Sequence, residues 1–253
     1  MYAAGVCIAL LASEGILRPP GIRYVFYFVD KRTCIDVSIS VLYNDYRSLV
    51  LQVIKQAGDT MTSTNIKRTA LSLFAKHGYN GTSLSDIAKQ VGMKKPSLYN
   101  HFSSKADLFL AVADEVFAAY VDYIEKALAQ VRGTSVKMKL KQALLSTAQF
   151  LSSHDVGMMY MRMVMFPPAE LCQDIRKRFE SFEGKTDDMY MALFREGIQN
   201  NEIAPGDISV YVKSFYALLD GISTEMYMYS SEKMDAKIEA SWTVFWQGIC
   251  ERN

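Results

Sequence analysis

Beyond residue 61, hydrophobic residues recur along the chain at the spacing of an α-helix. Ile66, Ala70 and Phe74 lie at i, i+4 and i+8, on one face of a first helix, and Gly78 is placed to end it. The alternation that strands show is absent there. Glycine, proline and serine breaks divide the remaining chain into helical segments. The later ones are predicted at 134–153, 156–165, 169–200, 206–230 and 233–251. The pattern is that of an all-α protein.

Residues 1–60 show a different pattern. Ile22–Val29 and, more weakly, Cys34–Leu42 are rich in residues that favour strands, but no partner strands are visible and a lone hairpin is only marginally stable in water. Two interpretations stay open. The segment is either a genuine N-terminal extension with a strand or two, or an upstream stretch included by a wrong choice of start, with the native chain beginning at Met61.

A short motif follows the first predicted helix. Ser83 and Asp86 have the spacing of a capping box, which predicts the start of a helix. Residues 84–102 read LSDIAKQVGMKKPSLYNHF. Here Ala88 is small enough for a second helix to cross closely, and Gly92 can take the left-handed conformation of a tight turn. This spacing is typical of a helix-turn-helix, whose second helix faces outward and fits the major groove of DNA.

The charge distribution supports a polyanionic partner for this motif. The whole chain has 28 basic and 27 acidic residues, a net charge of +1. Residues 61–110 carry 7 basic and 2 acidic side chains, a net +5, whereas residues 111–253 carry 15 and 20, a net −5. Lysine, hydroxyl and amide groups contact phosphates and base edges. Candidate DNA contacts on and after the exposed helix are Lys94, Lys95, Ser97, Tyr99, Asn100, His101 and Lys105.

Residues 64–112 resemble the DNA-binding domain of TetR-family transcriptional regulators. The resemblance rests on F-A-x-x-G-Y-x-G-T-S at 74–83, D-I-A-x-x-V-G at 86–92 and S-L-Y-x-H-F-x-S-K-x-D-L at 97–108. In that family three helices form a DNA-reading head, and a fourth links it to an all-α body that binds an effector and dimerises. The resemblance thus implies a DNA-binding domain at 61–110 and a ligand-binding and dimerisation domain at 111–253, after the atypical extension at 1–60.

The resemblance also implies individual roles in DNA binding. Tyr99, His101 and Lys105 match family positions that contact phosphates. Lys95 and Ser97 match positions of the recognition helix that reach bases in some members.

Three further positions of the DNA-binding motif are informative. Ser83 matches the cap of the second helix, which lies near the DNA backbone in the family. Ser85 stands where some members have an arginine that reads a base. Asn100 replaces an aromatic residue that many members have, and a base contact is the alternative for it.

A methionine-rich segment at 158–166 raises the question of an effector site. Methionine is flexible and adapts to irregular apolar ligands, although packing in the core is the alternative interpretation. Arg162 lies inside this segment, where it can pair with an acidic effector group or form a surface salt bridge. The candidate ligand-binding residues are Met158, Met161, Arg162, Met165, Phe194 and Phe215.

The last two predicted helices carry wide apolar stripes. Two such helices and their symmetry mates can form a four-helix interface, as in the family, while burial within one protomer is the alternative. The candidate interface residues are Phe215, Leu219, Ile222, Trp242, Phe245, Trp246 and Ile249. A two-fold dimer implies a pseudo-palindromic operator.

Several classes of protein are disfavoured. The chain has no G-x-G-x-x-G, P-loop, H-E-x-x-H or G-x-S-x-G motif, and its 4 cysteines are far apart, so we expect no enzyme, metal or cofactor. The longest uncharged apolar opening, 1–13, is shorter than the roughly 20 residues that a membrane span needs. We therefore expect a cytoplasmic protein with no membrane partner.

These observations predict a homodimeric transcriptional repressor that binds double-stranded DNA and is released by a small hydrophobic effector. A DNA-binding dimer without an effector is the alternative. An enzyme is a more remote one, because Asp220, Glu225, His154 and Cys172 form no recognisable triad.

Overall fold

A computed structural model describes residues 62–225, 228–229 and 231–251. The segment 1–60, with both interpretations of it, lies outside the described residues. Within the described part the protein consists of helices joined by short turns, with one isolated β-bridge between Ile203 and Cys250. The all-α prediction is confirmed. None of the described helices is both long enough and apolar enough to cross a membrane.

The helices follow one another with short connections. We number them in chain order. The first four are α1 (62–77), α2 (Leu84–Val91), α3 (Lys95–Leu98) and α4 (Lys105–Gln130). The remaining five are α5 (Val136–Ser152), α6 (His154–Met165), α7 (Cys172–Gln199), α8 (Ile208–Glu225) and α9 (Ser231–Ile249). A single 3₁₀ turn, Ala169–Leu171, precedes α7.

The ends of α1 and α2 form as their sequences predict. Gly78 has a φ of +71° and donates its N–H to the carbonyl of Phe74 at 2.9 Å, which ends α1. Ser83 and Asp86 make both bonds of a capping box at the start of α2. Gly92 has a φ of +80°, a conformation that favours glycine, and so allows the turn into α3.

The third helix is short. It spans Lys95–Leu98 and is followed by a turn through His101. In this turn the N–H groups of His101 and Phe102 both donate to the carbonyl of Leu98, at 3.0 and 3.1 Å. The buried side chains of Leu98 and Phe102 hold this segment against the other helices.

Helix α4 connects the first three helices to the rest of the protein. Ser104 caps its first turn, and the helix ends at Gln130. Its 26 residues span about 39 Å. Near its start, the Phe109 ring packs against Phe74 and Tyr79, with centroids 4.9 and 5.1 Å away. Further along, Tyr120 enters an aromatic cluster formed with other helices. One helix therefore contributes to both ends of a continuous hydrophobic core.

The body is a layered bundle of α4 to α9 around aromatic side chains. Phe117 and Tyr120 of α4 meet Phe150 of α5, Tyr160 of α6 and Phe182 of α7, with centroid distances between 5.2 and 6.3 Å. The break between α5 and α6 lies at Ser153, ahead of the predicted helix start at 156, because Ser153 caps α6 by accepting the N–H of Gly157 at 3.2 Å. The elbow between α5 and α6 is tight: a Cβ on Gly157 would lie 2.1 Å from the carbonyl oxygen of Leu151.

The loop after α7 closes the end of the body that contains the start of α5. The carboxylate of Glu202 accepts the backbone N–H groups of Val136 and Lys137, at 2.9 and 3.2 Å. These N–H groups lie in the first turn of α5 and have no acceptor within the helix. The helix dipole also favours a negative charge there. Nearby, the N–H of Ala204 donates to the carbonyl of Ile249 at 2.9 Å. The loop thereby ties α5 to the end of α9.

Replacing Glu202 should destabilise the protein more than replacing an ordinary surface carboxylate. Glu202→Ala removes both acceptors, and we expect the free energy of unfolding to fall by about 1 to 2 kcal/mol. Urea unfolding followed by circular dichroism measures the change. Glu125→Ala, on the exposed side of α4, makes the same change of charge and is the control. Equal losses for both variants would contradict the capping role.

Candidate nucleic-acid interface

The candidate DNA-binding side chains lie together on an exposed surface. We call Lys94, Lys95, Ser97, Tyr99, Asn100 and His101 the α3 surface. Leu98 and Phe102 face the core, so the residues around them are directed outward. Lys94, Lys95 and Asn100 are exposed, and 48% of Tyr99 is accessible although it is aromatic. An exposed tyrosine among lysines and amides provides hydrogen-bonding groups for phosphates and bases.

Ser83 lies at the start of α2 and is engaged within the protein. Its hydroxyl accepts the N–H of Asp86 at 3.2 Å and lies 2.6 Å from the Asp86 carboxylate. Hydrogen bonds from the side chain and backbone of Ser83 lower the pKa of Asp86 below 3.8. The structure therefore places Ser83 in the capping box, and its DNA contact stays a prediction.

Lys105 has a different environment from the other candidate lysines. Its ammonium group donates to the carbonyl of Tyr79 at 3.0 Å and lies 4.0 Å from the centre of the Tyr79 ring. These contacts hold the start of α4 to the loop after α1. The phosphate contact of Lys105 stays a prediction.

Arg162 links two helices within the protein, and its role in ligand binding stays a prediction. Its Nε donates to the carbonyl of Ala75 at 2.7 Å, and one of its terminal nitrogens donates to the carbonyl of Lys76 at 3.2 Å. Both carbonyls belong to the last turn of α1, where free acceptors and the helix dipole favour a cation. Arg162 therefore joins α6 of the body to the end of α1. The signal in the sequence was an arginine inside an apolar helix.

The methionines of α6 differ in burial. Met159 and Met163 are buried, while Met158 and Met161 are partly covered and Met165 is 45% exposed. Because a helix turns about 100° per residue, the inward face of α6 passes through Met159 and Met163. Effector contact by Met158, Met161 and Met165 stays a prediction.

Phe194 and Phe215 are buried, and they do not border the cavity that lies between α4 and α7. Their rings lie 6.0 Å apart, and Phe215 also packs against Tyr190 at 5.1 Å. A cavity of about 210 Å³ lies elsewhere, between α4 and α7. Its lining is Asp114, Phe117, Ala118, Val121, Arg178, Ser181, Phe182 and Lys185. None of the predicted ligand-binding residues borders it.

Polar groups are present inside the body close to the aromatic cluster. The Tyr120 hydroxyl lies 2.8 Å from the Thr147 hydroxyl, and burial raises the pKa of the Tyr120 phenol. The fully buried hydroxyl of Tyr190 has no hydrogen-bond partner among the described residues. In the described part, no group of three or more His, Cys, Asp or Glu residues is placed to hold a metal ion.

The predicted dimer residues are mostly part of the protomer's own core. The structure buries six of them and leaves Phe245 partly exposed. These buried six are Phe215, Leu219, Ile222, Trp242, Trp246 and Ile249. Through these stripes α8 and α9 pack on each other and on the body: the Phe215 and Phe245 rings lie 5.7 Å apart. This burial agrees with the alternative of packing within one protomer, and the role of these residues in a dimer stays a prediction.

The exposed sides of the same helices each contain a stripe of small, apolar and uncharged residues beside charged ones. On α8 this stripe consists of Val210, Ser214, Ala217, Gly221 and Thr224. On α9 it consists of Ala236, Ala240, Thr243, Val244 and Gln247. Both sets follow the spacing of one helical face, and Val244 is 71% exposed. We call them the α8–α9 outer faces.

Residues 66–112 match a family model described as bacterial regulatory proteins, tetR family. This range contains most of α1, all of α2 and α3, and the start of α4. The match therefore covers the α3 surface and the helices that support it.

Two relatives have curated functions. IcaR of Staphylococcus epidermidis, a negative transcriptional regulator of a biofilm operon, is 38% identical over 55 residues, which are 22% of this chain and 30% of that protein. The match to this relative thus spans less than a third of its length. QacR of Staphylococcus aureus, a transcriptional regulator, is 25% identical over 155 residues, 61% of this chain and 80% of that protein.

Solved structures share the fold. A TetR transcriptional regulator from Chloroflexus aurantiacus aligns with a TM-score of 0.61 at 19% identity, covering 78% of this chain and 100% of that one. FadR from Bacillus subtilis, in complex with stearoyl-CoA, aligns with a TM-score of 0.60 at 20% identity, covering 74% of this chain and 98% of that one. The similarity extends over head and body, so it describes the arrangement of the whole bundle.

Removing the Arg162 link should weaken the attachment of α1. Arg162→Met keeps the apolar part of the side chain but loses both hydrogen bonds from the charged guanidinium group. We expect the free energy of unfolding to fall by about 1 to 3 kcal/mol. We also expect faster amide hydrogen exchange at the end of α1. Arg132→Met, in the exposed turn after α4, is the control. Unchanged exchange in α1 would show that the link has no energetic weight.

Proposed function

We propose that the chain, which belongs to the TetR family of bacterial regulatory proteins, is a homodimeric repressor that a small effector releases from its operator. The observation that carries the proposal is the α3 surface. In this proposal 61–110 reads DNA, and 111–253 dimerises and binds the effector. A protein with this function acts in the cytoplasm, on double-stranded DNA.

The α3 surface supplies the two kinds of contact that operator binding needs. Lys94 and Lys95 attract phosphates, and the net +5 of 61–110 adds a salt-dependent attraction to any DNA. Ser97, Tyr99 and Asn100 present hydroxyl and amide groups that can bond base edges or phosphate oxygens. The short α3 is docked by Leu98 and Phe102, so it enters the major groove as a rigid unit.

Dimerisation would use the α8–α9 outer faces. Small residues such as Ala217, Gly221 and Ala240 let two helices approach closely, and the pair with its symmetry mates would form a four-helix interface. A two-fold axis through it presents two α3 surfaces to two half-sites, about 34 Å or a multiple apart. The operator is therefore a pseudo-palindrome in this proposal.

Effector control would act through α4. An effector that prefers a different arrangement of the body shifts the population toward heads that no longer fit the operator, with a coupling of about 1 to 3 kcal/mol. The FadR structure with stearoyl-CoA supports an effector site in a body of this fold. The described cavity lies against α4, the helix that connects body and head.

A second candidate is a DNA-binding dimer without an effector. The packed aromatic cluster and the burial of Phe194 and Phe215 favour it, because they leave little room where the sequence predicted a pocket. A screen for compounds that release bound operator separates the two candidates.

The experiment that tests the main proposal is binding of the full chain to DNA flanking its own gene. The control is the same DNA scrambled, and both are measured at two salt concentrations. We expect selective binding that persists at the higher salt. Loss of both complexes to the same degree would contradict operator recognition at that locus.

Lys95→Ala should weaken DNA binding in a salt-dependent manner. Each lysine that contacts a phosphate contributes about 1 to the magnitude of the slope of log K against log salt concentration. A dimer contains two copies of Lys95, so the substitution should reduce the magnitude of the slope by about 2. Fluorescence anisotropy with labelled operator measures the slope. Lys126→Ala, about 30 Å along α4 from its start, is the control and should leave the slope unchanged.

Ala217→Arg should convert the dimer into a monomer. A long charged side chain in the middle of the α8 outer face cannot be accommodated in a close helix pair. Size-exclusion chromatography with light scattering gives the mass. Met138→Arg, at an exposed position of α5, is the matched control and should stay dimeric. A dimeric Ala217→Arg protein would place the interface elsewhere.

A further inference from the structure

The cavity between α4 and α7 combines an apolar floor with a charged rim. Phe117 and Val121 of α4 and Phe182 of α7 line its apolar part. Asp114 of α4, with Arg178 and Lys185 of α7, supplies the charges. The volume of the cavity is about 210 Å³. A small molecule with one apolar end and one polar end matches this lining.

The sign of the rim charge selects the polar end. Arg178 and Lys185 are cations and Asp114 is the single anion, which leaves one positive charge in excess. In the described part of the chain, Lys185 has no salt bridge with an acidic residue. The excess favours an anion over a cation or a neutral group.

The Arg178–Asp114 pair is incompletely satisfied. Arg178 Nε lies 2.8 Å from Asp114 Oδ1, but this buried atom has no aligned hydrogen bond among the described residues. One terminal nitrogen of Arg178 donates to the carbonyl of Asp174 at 3.3 Å. The side chains of Arg178 and Asp114 are 32% and 57% exposed, so solvent and a ligand can reach them. The guanidinium therefore has donors left for a second carboxylate.

We propose that this cavity binds a small amphipathic monocarboxylate, such as a short-chain fatty acid. The carboxylate takes hydrogen bonds from Arg178 and meets the Lys185 ammonium, while its chain lies against Phe117, Val121 and Phe182. This site differs from the predicted one around the methionines of α6, and it changes the effector from a purely hydrophobic molecule to a hydrophobic acid.

Binding there would act on α4 by competition. Asp114 and the incoming carboxylate share Arg178, so the ligand weakens the ion pair that holds α4 to α7. Asp114 lies nine residues after the start of α4, and Glu115 beside it pairs with Lys67 of α1. A shift of this turn would therefore reach the head. This step rests on the proposed repressor function, whereas the binding itself does not.

The first experiment compares three probes of equal chain length on the full chain: hexanoate, hexanol and hexylammonium. NMR titration gives each dissociation constant. We expect hexanoate to bind at least about tenfold more tightly than hexanol, as charge-assisted hydrogen bonds are the stronger kind. Hexylammonium should bind most weakly. Equal affinities for hexanoate and hexanol would overturn the proposal.

Variants test the assigned residues. Arg178→Met should weaken hexanoate binding about tenfold, and Arg176→Met, an exposed arginine on the same helix, should leave it unchanged. Asp114→Asn removes the competing carboxylate and should tighten hexanoate binding severalfold. If the ion pair has only a structural role, both Asp114→Asn and Arg178→Met should instead disturb the cavity and weaken hexanoate binding. Weaker binding to Asp114→Asn would thus overturn the proposal, and thermal unfolding of each variant shows that it is folded.

Operator release is measured separately, by adding hexanoate to the complex of the full chain with DNA. Release that Arg178→Met abolishes supports both the site and its coupling. Hexanoate binding without release retains the site and overturns the coupling through α4. Absence of any operator binding defeats the proposed function alone, since the probe titrations judge the site without DNA.

Discussion

The packing of Phe109 between Phe74 and Tyr79 is the contact on which the position of the DNA-reading surface depends. It lies in the first turns of α4, and the same helix places Tyr120 in the aromatic cluster of the body. The hydrophobic core is continuous from α1 to α9 because α4 belongs to both ends of it. Because close-packed interiors have low compressibility, this core fixes the position of α3 relative to the body.

Polar contacts supplement this apolar connection along the border between head and body. Lys67 pairs with Glu115, Lys105 holds the loop at Tyr79, and Arg162 binds the end of α1. These contacts are partly exposed. An exposed ion pair contributes about 1 kcal/mol or less to stability, and a hydrogen bond from a charged group contributes somewhat more. Together these contacts fix α1 and the loop after it to α4 and α6.

Local chemistry made much of the fold predictable. The capping box of Ser83 with Asp86, the left-handed Gly78 and Gly92, and the cap at Ser104 depend on residues within four positions of each other. Their geometry follows from short stretches of sequence. The α3 surface was predictable for a related reason, since buried Leu98 and Phe102 alternate with exposed polar residues over a single turn. By contrast, the cap of α5 by Glu202 joins residues 66 positions apart and has no local signal.

The sequence by itself determined most of the helices, the caps made by near neighbours and the outward direction of the α3 side chains, because these depend on neighbours along the chain. Only the tertiary structure decided what covers each apolar face. Trp242 and Phe215 lie on faces that suited a partner subunit equally well, but packing of α8 and α9 buries them within the protomer. The same holds for Arg162, whose partners on α1 lie 86 and 87 residues away. Helical spacing defines a face, and only the assembled bundle supplies its neighbour.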